Sequence, residues 1–252
     1  MKANLFVTCL VDQFFPRVGE AVVRVLERVG VEVGFPRDQT CCGQPAFNAG
    51  YRREARAVAE RLLETFPADE AVVVPSGSCA TMLRRFYGEL FPDRPDLRAR
   101  WEELRKRIFE FSEFLVDHLG VVDVGARFPG RVAYHDSCHL LRELGIAEPP
   151  RKLLGAVEGL ELVELDPEKT CCGFGGLFSV KEAPVSDAIL RGKLEQVRRS
   201  RADFVVANDM GCLVHLGGGL SRHGSAVKVL HLAEILASSK DGSGPTEERS
   251  RL

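Results

Sequence analysis

Eight cysteines fall in two sets of four that repeat in order along 252 residues, and this repetition constrains the chain more than any other feature. Cys9, the adjacent Cys41 and Cys42, and Cys79 are followed by Cys138, the adjacent Cys171 and Cys172, and Cys212, at offsets of 129, 130, 130 and 133 residues. The flanking residues repeat as well. An apolar run ends at Cys9 and again at Cys138, Thr40-Cys41-Cys42-Gly43 matches Thr170-Cys171-Cys172-Gly173, and Ala71 to Cys79 matches Phe204 to Cys212. A chain written twice in this way predicts two halves of one design.

The elements between the cysteines tell which design. Val18, Val22, Val25, Leu26 and Val29 share one helical face that ends at Gly30, a residue suited to a C-terminal cap. Ala55, Val58, Ala59, Leu62 and Leu63 place a second helix over residues 51–65, and the unbroken run Ala71 to Val74 reads as a strand buried on both faces. The second half repeats the plan, with a helix over 186–200 and a strand from Phe204 to Ala207. The uncharged stretch Ala3 to Val11 also reads as a strand, Arg94 to Arg107 as a surface helix, and Ser112 to Leu119 as a short helix closing the first half. Short buried strands alternating with helices give an α/β class: two duplicated βαβ-type halves with parallel sheets, related by pseudo-twofold symmetry. Glycines and prolines cluster over 120–130, so the expected boundaries are 1–125 for the first repeat and 126–237 for the second. A Ser-, Gly- and charge-rich tail over 238–252 is expected to be disordered.

Ligands in such folds sit beyond the carboxyl ends of parallel strands, and Cys9, Cys79, Cys138 and Cys212 each lie at or shortly after such an end. Cys41-Cys42 and Cys171-Cys172 lie on loops following Val31 to Phe35 and Leu160 to Leu165, so three loops per half are expected to bring four thiols together. Adjacent cysteines do not form a relaxed disulfide with each other, but both can reach a multi-iron cluster, whose metals are spread over a few ångströms. Gly43 and Gly173 follow the pairs and let backbone N–H groups approach sulfur closely. Four thiolates also satisfy tetrahedral zinc, although zinc sites are usually built on Cys-x-x-Cys knuckles, of which the chain has none. A nucleophilic cysteine needs one thiol and a base, and buried cysteines of no function would not repeat in two matched sets.

Composition narrows the setting. With 45% hydrophobic and 28% charged residues the chain is that of an ordinary globular protein, large enough to fold without disulfides. A net charge of −2 gives no broad attraction to nucleic acid or an anionic membrane surface. The apolar N-terminal run is short, is ended by Asp12 and has no cleavage site after it, and no stretch approaches the length of a membrane span, so a cytoplasmic location is expected. Thiols in a reducing compartment serve metals or redox chemistry more often than disulfides. The Gly173-Phe174-Gly175-Gly176 run lacks the full dinucleotide fingerprint.

These motifs resemble the duplicated cysteine-rich "CCG" domain family, found in the cysteine-rich component of heterodisulfide reductase, the iron–sulfur component of glycolate oxidase and lactate-utilisation protein A. The resemblance runs from Lys2 to about Ala237 and is nearest to the lactate-utilisation members. It implies cluster ligands at Cys9, Cys41, Cys42 and Cys79 and at Cys138, Cys171, Cys172 and Cys212. It further implies up to two iron–sulfur clusters of the [4Fe–4S] type, with zinc as the alternative, and an electron-transfer role in a complex oxidising L-lactate to pyruvate. Glycolate-oxidase-like or heterodisulfide-reductase-like iron–sulfur subunits and a zinc-bound interaction scaffold are the competing readings. The implied partners are ferredoxin-type iron–sulfur or flavin subunits, so the chain is expected to be part of an oxidoreductase complex and not a self-contained enzyme.

The sequence also departs from the family pattern, which ends each half in Cys-x-x-Cys: Ser76 and Asp209 stand where the first cysteine of that pair belongs. With four thiols per half, a cubane or an oxygen-ligated cluster fits better than the five-thiolate, non-cubane type. Ser76 and Asp209 are candidate oxygen ligands or turn formers; Gln44, Asn48 and Asn208 are weaker candidates. His135 and His139 flank Cys138, where an imidazole can tune or replace a ligand, and both read first as hydrogen-bonded polar loop residues, whereas His118, His215, His223 and His231 suggest no partner.

Overall fold

The computed structural model describes residues 1–66, 69–165 and 169–239. The first half runs β1 (Lys2–Leu5), α1 (Cys9–Phe14), α2 (Pro16–Arg28), β2 (Glu32–Gly34), α3 (Gln44–Asn48), α4 (Arg52–Thr65), β3 (Ala71–Val74), α5 (Gly77–Arg84), α6 (Pro95–Arg105), β4 (Ile108–Glu110) and α7 (Phe111–Glu113), which continues as a π-helical turn, Phe114–His118. The second runs β5 (Arg127–Tyr134), a π-helical turn His139–Glu143, α8 (Glu148–Gly155), β6 (Glu158–Glu164), α9 (Phe178–Lys181), α10 (Ala183–Ser200), β7 (Phe204–Ala207), α11 (Met210–Arg222), β8 (Lys228–His231) and α12 (Leu232–Ala237). Each half forms a four-stranded, wholly parallel sheet, ordered β2-β1-β3-β4 in one and β6-β5-β7-β8 in the other. The duplication read from the cysteines is therefore a duplication of fold.

The central strands follow from their residues. Val72, Val73 and Val74 are fully buried, as are Val205, Val206 and Ala207, because helices cover both faces of each sheet. The apolar stretch from Ala3 to Val11 is not one strand. β1 ends at Leu5 and a helix begins at Cys9; the strand is buried from Ala3 and the helix buries Val11 and half-buries Cys9 and Leu10, which periodicity over so short a run does not separate. Of the expected tail, residues 240–252 lie outside the described residues.

The halves share a core. Ala3, Val22, Val25 and Leu26 of the first pack in one apolar cluster with Val132, Leu153, Leu154, Leu230, Ile235 and Leu236 of the second. Contacts across the seam are reciprocal: α12 lies on α2 while α7 lies on α8, and α1 meets α11 while α5 meets the turn His139–Glu143. A relation in which each half offers the same pair of surfaces to the other is isologous, the hallmark of a twofold. Arg28 fastens one such contact by donating to the terminal carbonyls of α12, Leu236 O and Ala237 O, each at 2.9 Å. Gly77 fits against Leu140 so closely that a β-carbon there would stand 2.6 Å from the Leu140 Cβ.

Candidate metal centres

In the first half the thiols follow β1, β2 and β3: Cys9 opens α1, Cys41 and Cys42 lie on the loop before α3, and Cys79 sits in the first turn of α5, so one of the three expected loops carries thiols and two helix N-termini carry the rest. Cys41 Sγ lies 3.7 Å from Cys9 Sγ, and Cys42 Sγ lies 3.4 Å from Cys79 Sγ. In the second half Cys171 Sγ lies 3.8 Å from Cys138 Sγ, and Cys172 hydrogen-bonds Cys212. Burial repeats residue for residue: Cys42 and Cys172 are each 2% exposed, Cys79 and Cys212 each 8%, and the other four are half-buried. No disulfide joins any of the eight. Two loop glycines complete the framework in left-handed conformations, Gly43 at φ 82° and Gly173 at φ 89°, and the Gly173 amide donates to Cys171 Sγ at 3.3 Å.

Crowding separates the thiols by acidity. Cys41 is held down at about 3, chiefly because Cys42 and then Cys9 hydrogen-bond its thiolate, with the Gly43 amide assisting against burial. Cys171 is likewise pushed well below the usual thiol range by Cys138 and Cys172. Their neighbours move the other way: Cys9 and Cys138 are pushed up as donors to Cys41 and Cys171, and Cys42 and Cys172 are pushed up for the same reason, with burial adding to each. Cys41 in the first half, and Cys171 and Cys212 in the second, are thus ready to meet a metal as thiolates, and the protons of their raised neighbours must leave as it binds.

Other candidates read from sequence fall into place less symmetrically. Ser76 and Asp209 lie against each other, not against a thiol. Ser76 Oγ accepts from the Cys79 amide at 3.2 Å, capping α5, and donates to Asp209 Oδ1 at 3.4 Å. Asp209 Oδ2 accepts from the Ser78 amide at 2.7 Å, and Oδ1 from the Ser78 hydroxyl at 2.9 Å. The two positions that depart from the Cys-x-x-Cys pattern therefore clasp the halves together one residue from Cys79. Burial, followed by the nearby Cys212, raises the Asp209 carboxyl to about 7. Gln44 donates to the Ser78 carbonyl at 3.2 Å, Asn48 is exposed, and Asn208 donates to Glu110 at 2.9 Å while accepting from Tyr134.

The histidines divide sharply. His139 has Nδ1 3.8 Å from Cys138 Sγ and its ring edge against Phe86. His118 stacks on Phe114, His215 lies 3.3 Å from Ser186 Oγ, His223 is exposed, and His231 accepts the Ala233 amide at the start of α12. His135 is not the hydrogen-bonded loop residue its sequence position suggests. It is 1% exposed, and neither ring nitrogen has a hydrogen-bond partner. Its ligand atom and those of Cys172 and Cys212 all lie within 4.8 Å of one another, a compact three-donor group not matched elsewhere among the described residues. After Cys172, His135 and Ser137 are what hold Cys212 below the usual thiol range. Aligning the two halves sets His135 opposite the apolar Phe6, and that mismatch is the sequence signal for it.

Residues 3–84 and 132–217 each match the cysteine-rich domain family, CCG. The chain belongs to that family, in duplicate. Relatives of this CCG chain match it nearly end to end. A lactate utilization protein A of Oceanobacillus iheyensis is 46% identical over 242 residues, covering 96% of this chain and 99% of its own. Another lactate utilization protein A, from Geobacillus thermodenitrificans, is 47% identical over 240 residues, covering 94% and 98%. A lactate utilization protein A 2 of Bacillus mycoides is 47% identical over 238 residues, covering 94% and 99%. Among solved structures, a hypothetical protein from Helicobacter pylori shares the CCG chain's fold with a TM-score of 0.64 at 13% identity, over 93% of this chain and 48% of the other. The chain thus spans about half the length of that structure.

The donor chemistry suits a thiophilic metal group: four soft, unlinked thiols per half, an amide directed at sulfur, and a buried imidazole without a partner.

Proposed function

We propose that each cysteine quartet holds an iron–sulfur cluster of the [4Fe–4S] class, giving up to two per chain, and that the protein is the electron-transfer component of a complex oxidising L-lactate to pyruvate. The ligands in this reading are Cys9, Cys41, Cys42 and Cys79, and Cys138, Cys171, Cys172 and Cys212. The observation that carries it is the extended arrangement of the thiols. Four thiolates bound to one zinc lie about 3.8 Å apart in every combination, given Zn–S bonds of about 2.3 Å. Here the thiols of each half touch in a row, Cys9–Cys41–Cys42–Cys79 and Cys138–Cys171–Cys172–Cys212, and no three of them draw within 4.8 Å of one another among the described residues. A wider, multi-iron group suits such a spread.

A bound cluster supplies one-electron chemistry. The chain's own residues hold it between apolar walls, stabilise its negative charge with the Gly173 amide, and couple the halves through the Ser78–Asp209 clasp, which begins beside Cys79 and ends three residues before Cys212. The oxygen atoms of Ser76 and Asp209 are taken up by the Cys79 amide and by the amide and hydroxyl of Ser78, which weighs against a fifth ligand and against disulfide chemistry at the cluster. Lactate as the substrate follows the names of the relatives; ferredoxin-type iron–sulfur or flavin subunits as partners and a cytoplasmic setting are part of the same proposal and come from the family resemblance. Glycolate is the alternative hydroxy acid. Among the described residues no helix is long and apolar enough to cross a membrane. The repeats we assign are 1–125 and 126–237.

Anaerobic purification followed by iron, sulfide and zinc analysis tests the reading, together with electron paramagnetic resonance before and after reduction. About four to eight irons per chain with matching sulfide and a reducible signal are expected. Lactate added with the partner subunits should then reduce that signal. Zinc without sulfide would replace the proposal with a structural scaffold.

A further inference from the structure

We propose that His135 binds metal through a ring nitrogen at the second centre, alongside Cys172 and Cys212, so that the two centres of one chain differ in ligand chemistry. The inference rests on the proposed clusters and adds a donor that the cysteine pattern does not contain. Three observations carry it.

Position comes first. The His135 amide donates to Val206 O at 2.8 Å, and the Phe6 amide donates to Val73 O at 2.9 Å, the matching bond in the other half. Both residues directly follow the first strand of their sheet, so their side chains leave equivalent points of the backbone. Phe6 is fully buried in the apolar cluster that includes Cys42 and Cys79. His135 stands the same way toward Cys172 and Cys212.

Energetics comes second. Phe6 demonstrates that packing at this point is satisfied by an apolar ring. Replacing it with imidazole buries two ring nitrogens that find no hydrogen-bond partner, at a cost of about 1–3 kcal/mol for each unsatisfied group. Within the second half the nearest compensation is the Cys212 thiolate, whose pKa His135 lowers, and a metal bound to that sulfur would engage the ring directly.

Chemistry comes third. Imidazole and thiolate are compatible donors for iron, and histidine in place of sulfur is an established way to change a cluster's potential. Among the described residues, this is the group in which three donor atoms already lie within 4.8 Å of one another, and all three residues are buried from competing water.

The test uses the full-length protein, purified without air from cells fed 15N-histidine and reduced to its paramagnetic state. Pulsed electron paramagnetic resonance is read beside iron and sulfide per chain. The expected result is a 15N coupling of a directly bonded histidine nitrogen that is lost in His135→Phe, a residue the equivalent site already accommodates. In the same variant, iron of the second centre should be released to a chelator roughly tenfold or more faster. His139→Gln should keep the coupling, which assigns it independently of how well the His135 variant folds. Iron and sulfide without any histidine coupling, or a coupling abolished by His139→Gln, would overturn the inference while leaving the clusters in place. A chain with neither iron nor sulfide would remove both.

Discussion

The two cysteine quartets have the same backbone and the same graded burial, yet their surroundings are chemically different. Around the first lie Phe6, Val7, Pro75 and Ser76; the matching residues around the second are His135, Asp136, Asn208 and Asp209. The contrast extends to the last strand of each sheet, where Glu110 and His231 hold the same register position, opposite Val74 and Ala207, and each starts a helix with a capping box. Duplication preserved what positions sulfur, and divergence went into the polar groups that set charge near it. Clusters held at the two quartets, as proposed, should therefore have unequal potentials.

The largest expected effect asks whether there are two centres. Cys42→Ser and Cys172→Ser should each remove about half of the bound iron and sulfide, and the double variant nearly all. Loss of all iron from either single variant would mean that both quartets serve one centre, and the comparison between halves would collapse.

The next prediction concerns Glu110 and His231, whose titrations oppose each other. Burial raises Glu110 from 4.5 to about 7, so the native state keeps a proton that the unfolded chain releases, and stability falls as pH rises from 4.5 to 7. Burial lowers His231 from 6.5 to about 4, so the unfolded chain takes up a proton that the native state refuses, and stability falls as pH drops from 6.5 to 4. Each difference is worth on the order of 3 kcal/mol over its window. Denaturant unfolding of Glu110→Gln should therefore gain on the parent as pH rises, and His231→Asn should gain on it as pH falls. Parallel pH profiles for the parent and either variant would show that the group's titration does not differ between folded and unfolded states. Asp209, raised to about 7, adds to the slope of Glu110 and is left intact in both variants.

The seam gives a smaller effect. Gly77→Ala places a methyl 2.6 Å from Leu140 Cβ and 3.2 Å from its backbone, which only a shift of one half against the other relieves. Overpacking of this kind costs about 1–3 kcal/mol, partly offset by about 1 kcal/mol for removing a helical glycine. Gly211→Ala meets only the ring edge of Phe174 at 2.8 Å, which can swing aside, so its melting temperature should stay near the parent's. Equal losses at the two positions would mean that the seam is no tighter than the loop around the second centre.

Much of this was legible in the sequence because it is local. The apolar runs at Ala71 and Phe204, the helical spacing from Val18 to Val29 and the matched cysteines all declare themselves within short windows. What was hidden depends on the two halves meeting. β4 and β8 are three and four residues long and carry no alternation to read, and α12 takes its place from α2, some two hundred residues earlier. The Ser76–Asp209 clasp joins residues 133 apart, so at each end only a polar residue after a strand was visible. His135 was readable in principle as the one imidazole in a column that holds phenylalanine in the other half. Its burial was not, because the thiols it stands beside, Cys172 and Cys212, are brought to it only by the fold.

The smallest effect separates the two duties of Ser76. As the cap of α5 it accepts the Cys79 amide, and its loss in Ser76→Ala should cost about 1 kcal/mol whatever happens across the seam. Its bond to Asp209 is long at 3.4 Å, whereas Ser78 gives the same carboxylate two contacts of 2.7 and 2.9 Å. Asp209→Ala should therefore cost more than Ser76→Ala, about 1–3 kcal/mol, because it leaves a buried amide without a partner. A double-mutant cycle between Ser76→Ala and Asp209→Ala, read by urea unfolding, should give a coupling of about 0.5 kcal/mol, near the lower limit for groups in contact. A coupling equal to the whole cost of Ser76→Ala would reverse the assignment. The serine would then serve the second half and not its own helix, and the matched N-terminal positions of α5 and α11 would be one shared device spanning the two centres.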